Sequence, residues 1–134
     1  MNPEDVAATI LRLAAAAIFL GQAARKLAAP PEVSHGRDGL AAMIRRAGMP
    51  RPELLALVVS LTEAVGGAAL LVGLASRPAA LVLAAVMVVA IVGFKRTQGF
   101  VGGWDWPFAV LAILIGVALL GSGPWSLDAI LFTR

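Results

Sequence analysis

Four stretches of the chain, at about Val6–Ala24, Leu54–Leu74, Pro78–Phe94 and Trp104–Gly121, are almost continuously apolar. They run from 17 residues (94 − 78 + 1) to 21 residues (74 − 54 + 1), close to the ~20 that an α-helix needs to cross a hydrocarbon core of about 30 Å. Only 14% of residues are charged and 60% are hydrophobic, whereas soluble domains carry about 25% charged residues. The pattern predicts an all-α fold: a four-helix transmembrane bundle forming one membrane domain over residues 1–134. Spans and connections use up the length, so a soluble catalytic domain has no room and any activity must sit in or beside the bilayer.

The connections carry their own signals. In the first, Leu40, Met43, Ile44 and Ala47 share one helical face while Arg37, Arg45 and Arg46 lie towards the other, as expected of an amphipathic helix resting on the membrane surface. Asp38 is placed to cap that helix, and Gly48 with Pro50 to end it. After the fourth span, Trp125 and a capping Ser126 predict a second short interfacial helix at the C-terminus. The acidic leader Met1-Asn2-Pro3-Glu4-Asp5 argues against reading the first apolar run as a cleaved signal peptide.

Composition excludes several chemistries. The net charge is +3, but the basic residues stand singly or in pairs between apolar runs, which suits loop flanks better than a nucleic-acid surface. The chain has no cysteine, so it forms no structural disulfide, iron–sulfur ligation or dithiol couple of its own. His35 is the single histidine, which rules out bis-histidine haem ligation within the chain, and no metal-ligand spacing, phosphate loop or Ser-His-Asp set is present. No covalent or metal cofactor is expected.

Ionisable groups inside the spans are the main candidates for function. Arg12 and Glu63 lie deepest, and a charge at the centre of a span costs about 2.5 to 3.5 kcal/mol on insertion scales. Measured from the span ends, Arg12 lies about six residues and Glu63 about eleven from the same surface, so the two are expected to meet. Their meeting has two readings: a polar site for a headgroup or proton, or a buried pair that fixes helix register with help from hydroxyls such as Thr62. Lys26 and Arg77, at the ends of the first and second spans, are further polar candidates. Gly66, Gly67 and Gly73, with Gly21 on the first span, read as contact points for close helix approach. Trp104, Asp105 and Trp106, near Lys95 and Arg96, suit either a quinone or lipid headgroup or simple interfacial anchoring.

The order of motifs resembles the DoxX-like membrane family. Leu11-Arg12-Leu13, Phe19-Leu20-Gly21 and Lys26-Leu27 come first, followed by Glu63 with Gly66-Gly67 and by Leu71-Val72-Gly73-Leu74-Ala75-Ser76-Arg77. Gly102-Gly103-Trp104-Asp105-Trp106 and Gly123-Pro124-Trp125-Ser126-Leu127-Asp128 complete the set. Two positions depart from the family pattern: Asp105 stands where glutamate is expected, and no histidine occurs near Gly93. The resemblance implies a membrane protein of the bacterial cell membrane associated with redox enzymes, similar to the membrane subunit of thiosulfate:quinone oxidoreductase. The leading expectation is a non-catalytic subunit or anchor of a redox complex, with quinone as the implied ligand and a redox protein or further copies of the chain as partners. The alternatives are a small carrier or lipid-binding protein with its site at Arg12 and Glu63, and an assembly or scaffold protein without ligand.

Sidedness follows from lysine and arginine placement. The first and third connections, with the span ends that enter them, hold Arg25, Lys26, Arg37, Arg45, Arg46, Arg51, Lys95 and Arg96, against Arg77 and Arg134 on the opposite side. The basic side is therefore expected to face the cytoplasm, with both termini on the other side of the membrane. A reporter active only in the cytoplasm should stay silent when fused after Arg134 and respond when inserted near Gly48; the reverse pattern refutes this topology.

Overall fold

The computed structural model describes residues 2–28 and 36–132, which excludes Pro30, Pro31, His35 and Arg134. Among the described residues there are six α-helices and no strand: α1 (Pro3–Ala28), α2 (Arg37–Arg46), α3 (Pro52–Val72), α4 (Ser76–Ala90), α5 (Asp105–Leu120) and α6 (Leu127–Phe132). Helix α4 continues through a π-turn at Ile91–Lys95 and a 3₁₀ turn at Arg96–Gln98. Four helical stretches are long and apolar enough to span a membrane, with α2 and α6 as the short helices outside them.

Local chemistry accounts for most helix boundaries. Asn2 and Asp5 exchange backbone-to-side-chain hydrogen bonds of 3.2 and 2.9 Å across the first turn of α1, a reciprocal cap with acidic groups at the positive end of the helix dipole. The cap expected from Asp38 is not made: Gly36 occupies the N-cap position without a side-chain bond, and Asp38 lies in the first turn. Gly48 does end α2, at φ +76. Pro52 opens α3, where its missing N–H costs nothing. At α6 the expected cap is present, the Ser126 hydroxyl accepting from the Ala129 N–H at 3.1 Å.

Neighbouring spans run antiparallel, with α1 packed on α3 and α5, and α4 packed on the same two helices. Each presents a narrow buried stripe at alternating spacings of three and four: Ala8, Arg12, Ala15, Phe19 and Ala23 on α1; Ala56, Ser60, Glu63, Gly67 and Leu70 on α3; Ser76, Ala80 and Leu83 on α4; Pro107, Val110, Leu114 and Val117 on α5. That period of about 3.5 is the seam of left-handed helix packing. The small residues at α1–α3 let the backbones approach, which drives association where lipid offers no hydrophobic gain. Helix α2 lies against α3, burying Ala41 and Ile44 beside Ala56.

The glycines divide by role. A Cβ on Gly67 would come within 3.1 Å of the Leu20 backbone nitrogen, and one on Gly66 within 2.9 Å of the Leu83 side chain, so both permit the expected close approach. Gly21 has no atom of another element within 4 Å of such a Cβ and plays no part in packing, contrary to expectation. Gly73, at φ +73, closes α3 in a left-handed turn, and a Cβ there would meet Ser126 and the Arg12 side chain of α1, so it too permits a close approach. Replacing Gly67 by Val should lower stability by about 1 to 3 kcal/mol in reversible unfolding in mixed micelles, whereas Gly21→Ala should be neutral or mildly stabilising. Equal effects of the two substitutions contradict this packing.

Candidate functional site

The α1–α3 register separates the polar candidates. Gly67 faces Leu20, so in an antiparallel pair the residue six beyond Leu20, Lys26, meets the residue four before Gly67, Glu63. Lys26 Nζ donates to Glu63 Oε2 at 2.5 Å, with Glu63 only 2% exposed. Arg12 lies fourteen residues before Lys26 (26 − 12), about 21 Å along α1, and has no contact with this pair. The predicted Arg12–Glu63 meeting is thus corrected. The Leu20–Gly67 contact offsets the two helices, so that the first two turns of α1 project beyond the end of α3 at Val72 and Arg12 is level with that end rather than with the middle of α3. Thr62, expected to assist, instead bonds the Val58 carbonyl at 2.8 Å within its own helix.

Arg12 is 2% exposed and is held by backbone carbonyls. Its Nη1 donates to Leu70 O at 2.6 Å and Leu71 O at 2.7 Å, its Nε to Ser122 O at 2.8 Å and its Nη2 to Trp125 O at 2.6 Å. A guanidinium has five N–H donors, and four are used here. Leu70 and Leu71 belong to the last turn of α3, whose carbonyls have no intrahelical partner and lie at the negative end of the helix dipole. The same side chain thereby caps α3 and ties down the segment after α5.

Asp128 completes this latch. Its two carboxylate oxygens accept from the Ala75 and Ser76 amides at 2.7 and 3.0 Å, capping α4, while its own N–H donates to Gly73 O at 2.8 Å. A Cβ on Gly73 would lie 2.3 Å from Ser126 Cβ, so the C-terminal segment seats only on glycine. Arg77 lies at the same end and donates to Leu119 O at 3.3 Å, near the close of α5. Arg12, read as a ligand candidate, is held within the latch by four carbonyls, and Arg77 lies at the same end of the bundle.

The opposite, basic end of the bundle is open. A cavity of about 630 Å³ lies among α1, α2, α3, the end of α4 and the start of α5. Its walls are mainly apolar, with Phe19, Met43, Val59, Met87, Phe94 and Val110, and Gln22, the Lys26–Glu63 pair, Arg25, Arg46 and Lys95 supply polar groups. Val89 and Trp106, which also line it, are 52% and 56% exposed, so the cavity opens on the outside of the bundle.

The Trp104-Asp105-Trp106 group does not act as one unit. Trp106 joins the cavity wall. Trp104 turns away into edge-to-face contacts with Phe100 and Phe108, at ring separations of 4.5 and 5.9 Å. Asp105 shapes the turn, its oxygens accepting from the Gly102 and Trp106 amides at 3.0 and 2.8 Å. Of the sequence candidates, Lys26, Glu63 and Trp106 come together. Sequence reasoning passed over Gln22, Met43 and Phe94. The cue for Gln22 was its polarity near the end of an apolar run; for Phe94, within the π-turn, none was present. No cluster of potential metal ligands occurs among the described residues.

Comparison with known proteins places this arrangement. The DoxX family profile matches residues 7–96, which include Arg12, Lys26 and Glu63. The chain is 34% identical over 137 residues to the uncharacterized membrane protein Rv3486 of Mycobacterium tuberculosis, covering 92% of this chain and 80% of that protein. It is 31% identical over 81 residues, 60% of each chain, to CatD of Bacillus subtilis, whose name assigns it provisionally to the oxidoreductases. No solved structure matches. The chain is a multi-pass membrane protein that belongs to the DoxX family.

Proposed function

We propose that this chain is a non-catalytic membrane subunit of a redox system, binding a lipid-soluble quinone in the basic-end cavity while a partner protein supplies the electrons. The observation that carries this reading is a cavity with apolar walls and one buried ion pair. Its volume of about 630 Å³ falls within the 300 to 1,000 Å³ usual for small-molecule sites. A Lys ammonium has three donors, and Glu63 accepts one from Lys26, leaving donors for a quinone carbonyl. Trp106 offers an indole face at the opening, and the exposed wall gives a route from the bilayer. With no cysteine and one histidine, the chain has few groups able to carry electrons, so that task falls to the partner. The name of the Bacillus subtilis relative is consistent with a redox setting. On this reading the cavity faces the cytoplasmic side of the bacterial cell membrane, in keeping with the basic connections around it.

The carrier reading centred on Arg12 and Glu63 loses its basis, because the two groups serve different ends of the bundle. Binding is measured by titrating the purified protein with a short-chain quinone and following tryptophan quenching and thermal stability. Saturable quenching with a rise in Tm is expected. Trp106→Phe should remove most of the quenching, and Lys26→Met should weaken binding by about 10- to 100-fold, the worth of a hydrogen bond to a charged group. Absence of saturable binding, or binding indifferent to both substitutions in folded protein, overturns the proposal and favours a scaffold without ligand.

A further inference from the structure

The cavity mouth holds more positive charge than its base can neutralise. The ionisable groups lining it are Arg25, Lys26, Arg46, Lys95 and Glu63. Once Lys26 and Glu63 neutralise each other, three cations remain, one each from α1, α2 and the π-turn after α4. The two ion pairs among the described residues are Lys26–Glu63 and Arg45–Glu53, so none of the three is in either. Asp105 is close enough to Lys95 to interact with it electrostatically but forms no ion pair with it, its oxygens accepting from the Gly102 and Trp106 amides.

Positive flanks alone do not require this convergence. Adjacent residues on α2 divide their roles: Arg45 pairs with Glu53, while Arg46 lines the cavity. On the other wall, a π-turn closes from residue i to i+5, which sets Lys95 over Ala90, itself a lining residue. Three cations thus line a cavity whose walls are mainly apolar and whose wall at Val89 is exposed on the outside of the bundle. The chemistry that fits is an anion bearing a hydrocarbon tail, since basic pockets between transmembrane helices hold acidic headgroups.

We infer that the cavity mouth is a binding site for an anionic phospholipid, its phosphate seated among Arg25, Arg46 and Lys95 and an acyl chain lying along the apolar wall. The headgroup site is set by Arg25, Arg46 and Lys95 and not by the Lys26–Glu63 pair, so it does not rest on the quinone reading, although an acyl chain and a quinone would compete for the same apolar wall. Protein in neutral detergent is titrated separately with short-chain phosphatidylglycerol, with phosphatidylcholine of the same chain length and with inorganic phosphate, reading the thermal midpoint. Phosphatidylglycerol should raise Tm saturably and phosphatidylcholine should not. Arg46→Gln and Lys95→Gln should each weaken the effect about fivefold, while Arg45→Gln leaves it unchanged. Lys26→Met should keep the lipid effect even where it loses quinone quenching. Equal stabilisation by both lipids, or a phosphatidylglycerol effect untouched by Arg46→Gln and Lys95→Gln in folded protein, overturns the site. So does an equal, Arg46-dependent effect of inorganic phosphate, which would assign the mouth to a soluble anion.

Discussion

A cation that a helix carries into the interior of a bundle must end on an oxygen of the protein, because its packed neighbours cut it off from most of the water that would solvate it. Helix α1 carries two such cations, and the contact of Gly67 with the Leu20 backbone decides where each one ends. That contact brings Lys26 to the Glu63 carboxylate and leaves Arg12 level with the last carbonyls of α3. One charge is neutralised by a contacting carboxylate, and the other is bonded by backbone carbonyls with the Asp128 carboxylate close enough to add electrostatic support. The two solutions make the two ends of the bundle different.

At the Arg12 end, the guanidinium, the Asp128 carboxylate and the Gly73 turn connect α1, α3, α4 and the C-terminal segment through hydrogen bonds of 2.6 to 3.0 Å. The bonds to Leu70, Leu71, Ala75 and Ser76 satisfy helix termini, where backbone groups lack intrahelical partners, and those to Ser122 and Trp125 fix the segment after α5. Motifs as far apart in sequence as Leu11-Arg12-Leu13, Gly73–Arg77 and Gly123–Asp128 are therefore parts of one latch. At the other end the helices enclose a cavity, and one of its walls contains a π-turn, a feature often found near functional sites. Tight packing at one end gives the open end a fixed frame, which is the basis for seeking ligands there.

Much of this was legible in the sequence. The four spans, both interfacial helices, the Gly48 stop and the Ser126 cap follow from apolar length, amphipathic spacing and capping chemistry. The inward faces did not show. In α5 the buried Val110, Leu114 and Val117 are no more apolar than the exposed Phe108, Ile115 and Leu119, since the outer face meets lipid and the inner face meets protein. The partner of Arg12 was hidden for a different reason: backbone carbonyls have no letter in a sequence, so a search for an opposite charge led to Glu63. A depth estimate that set the ends of the first two spans flush gave that pairing a plausible register, whereas α1 projects past the end of α3. Trp104, Asp105 and Trp106 were read as one corner, but successive helical residues point about 100° apart, and the structure sends them to an aromatic cluster, a turn and the cavity wall.

The division of α1's two cations is tested most directly by double-mutant cycles in reversible unfolding, using Lys26→Met, Glu63→Gln and Arg12→Met. The structure predicts coupling of about 1 to 3 kcal/mol between Lys26 and Glu63, which are in contact, and additivity within about 0.5 kcal/mol for Arg12 and Glu63. Strong coupling of Glu63 to Arg12, with none to Lys26, would contradict the register and with it the assignment of the cavity's polar base.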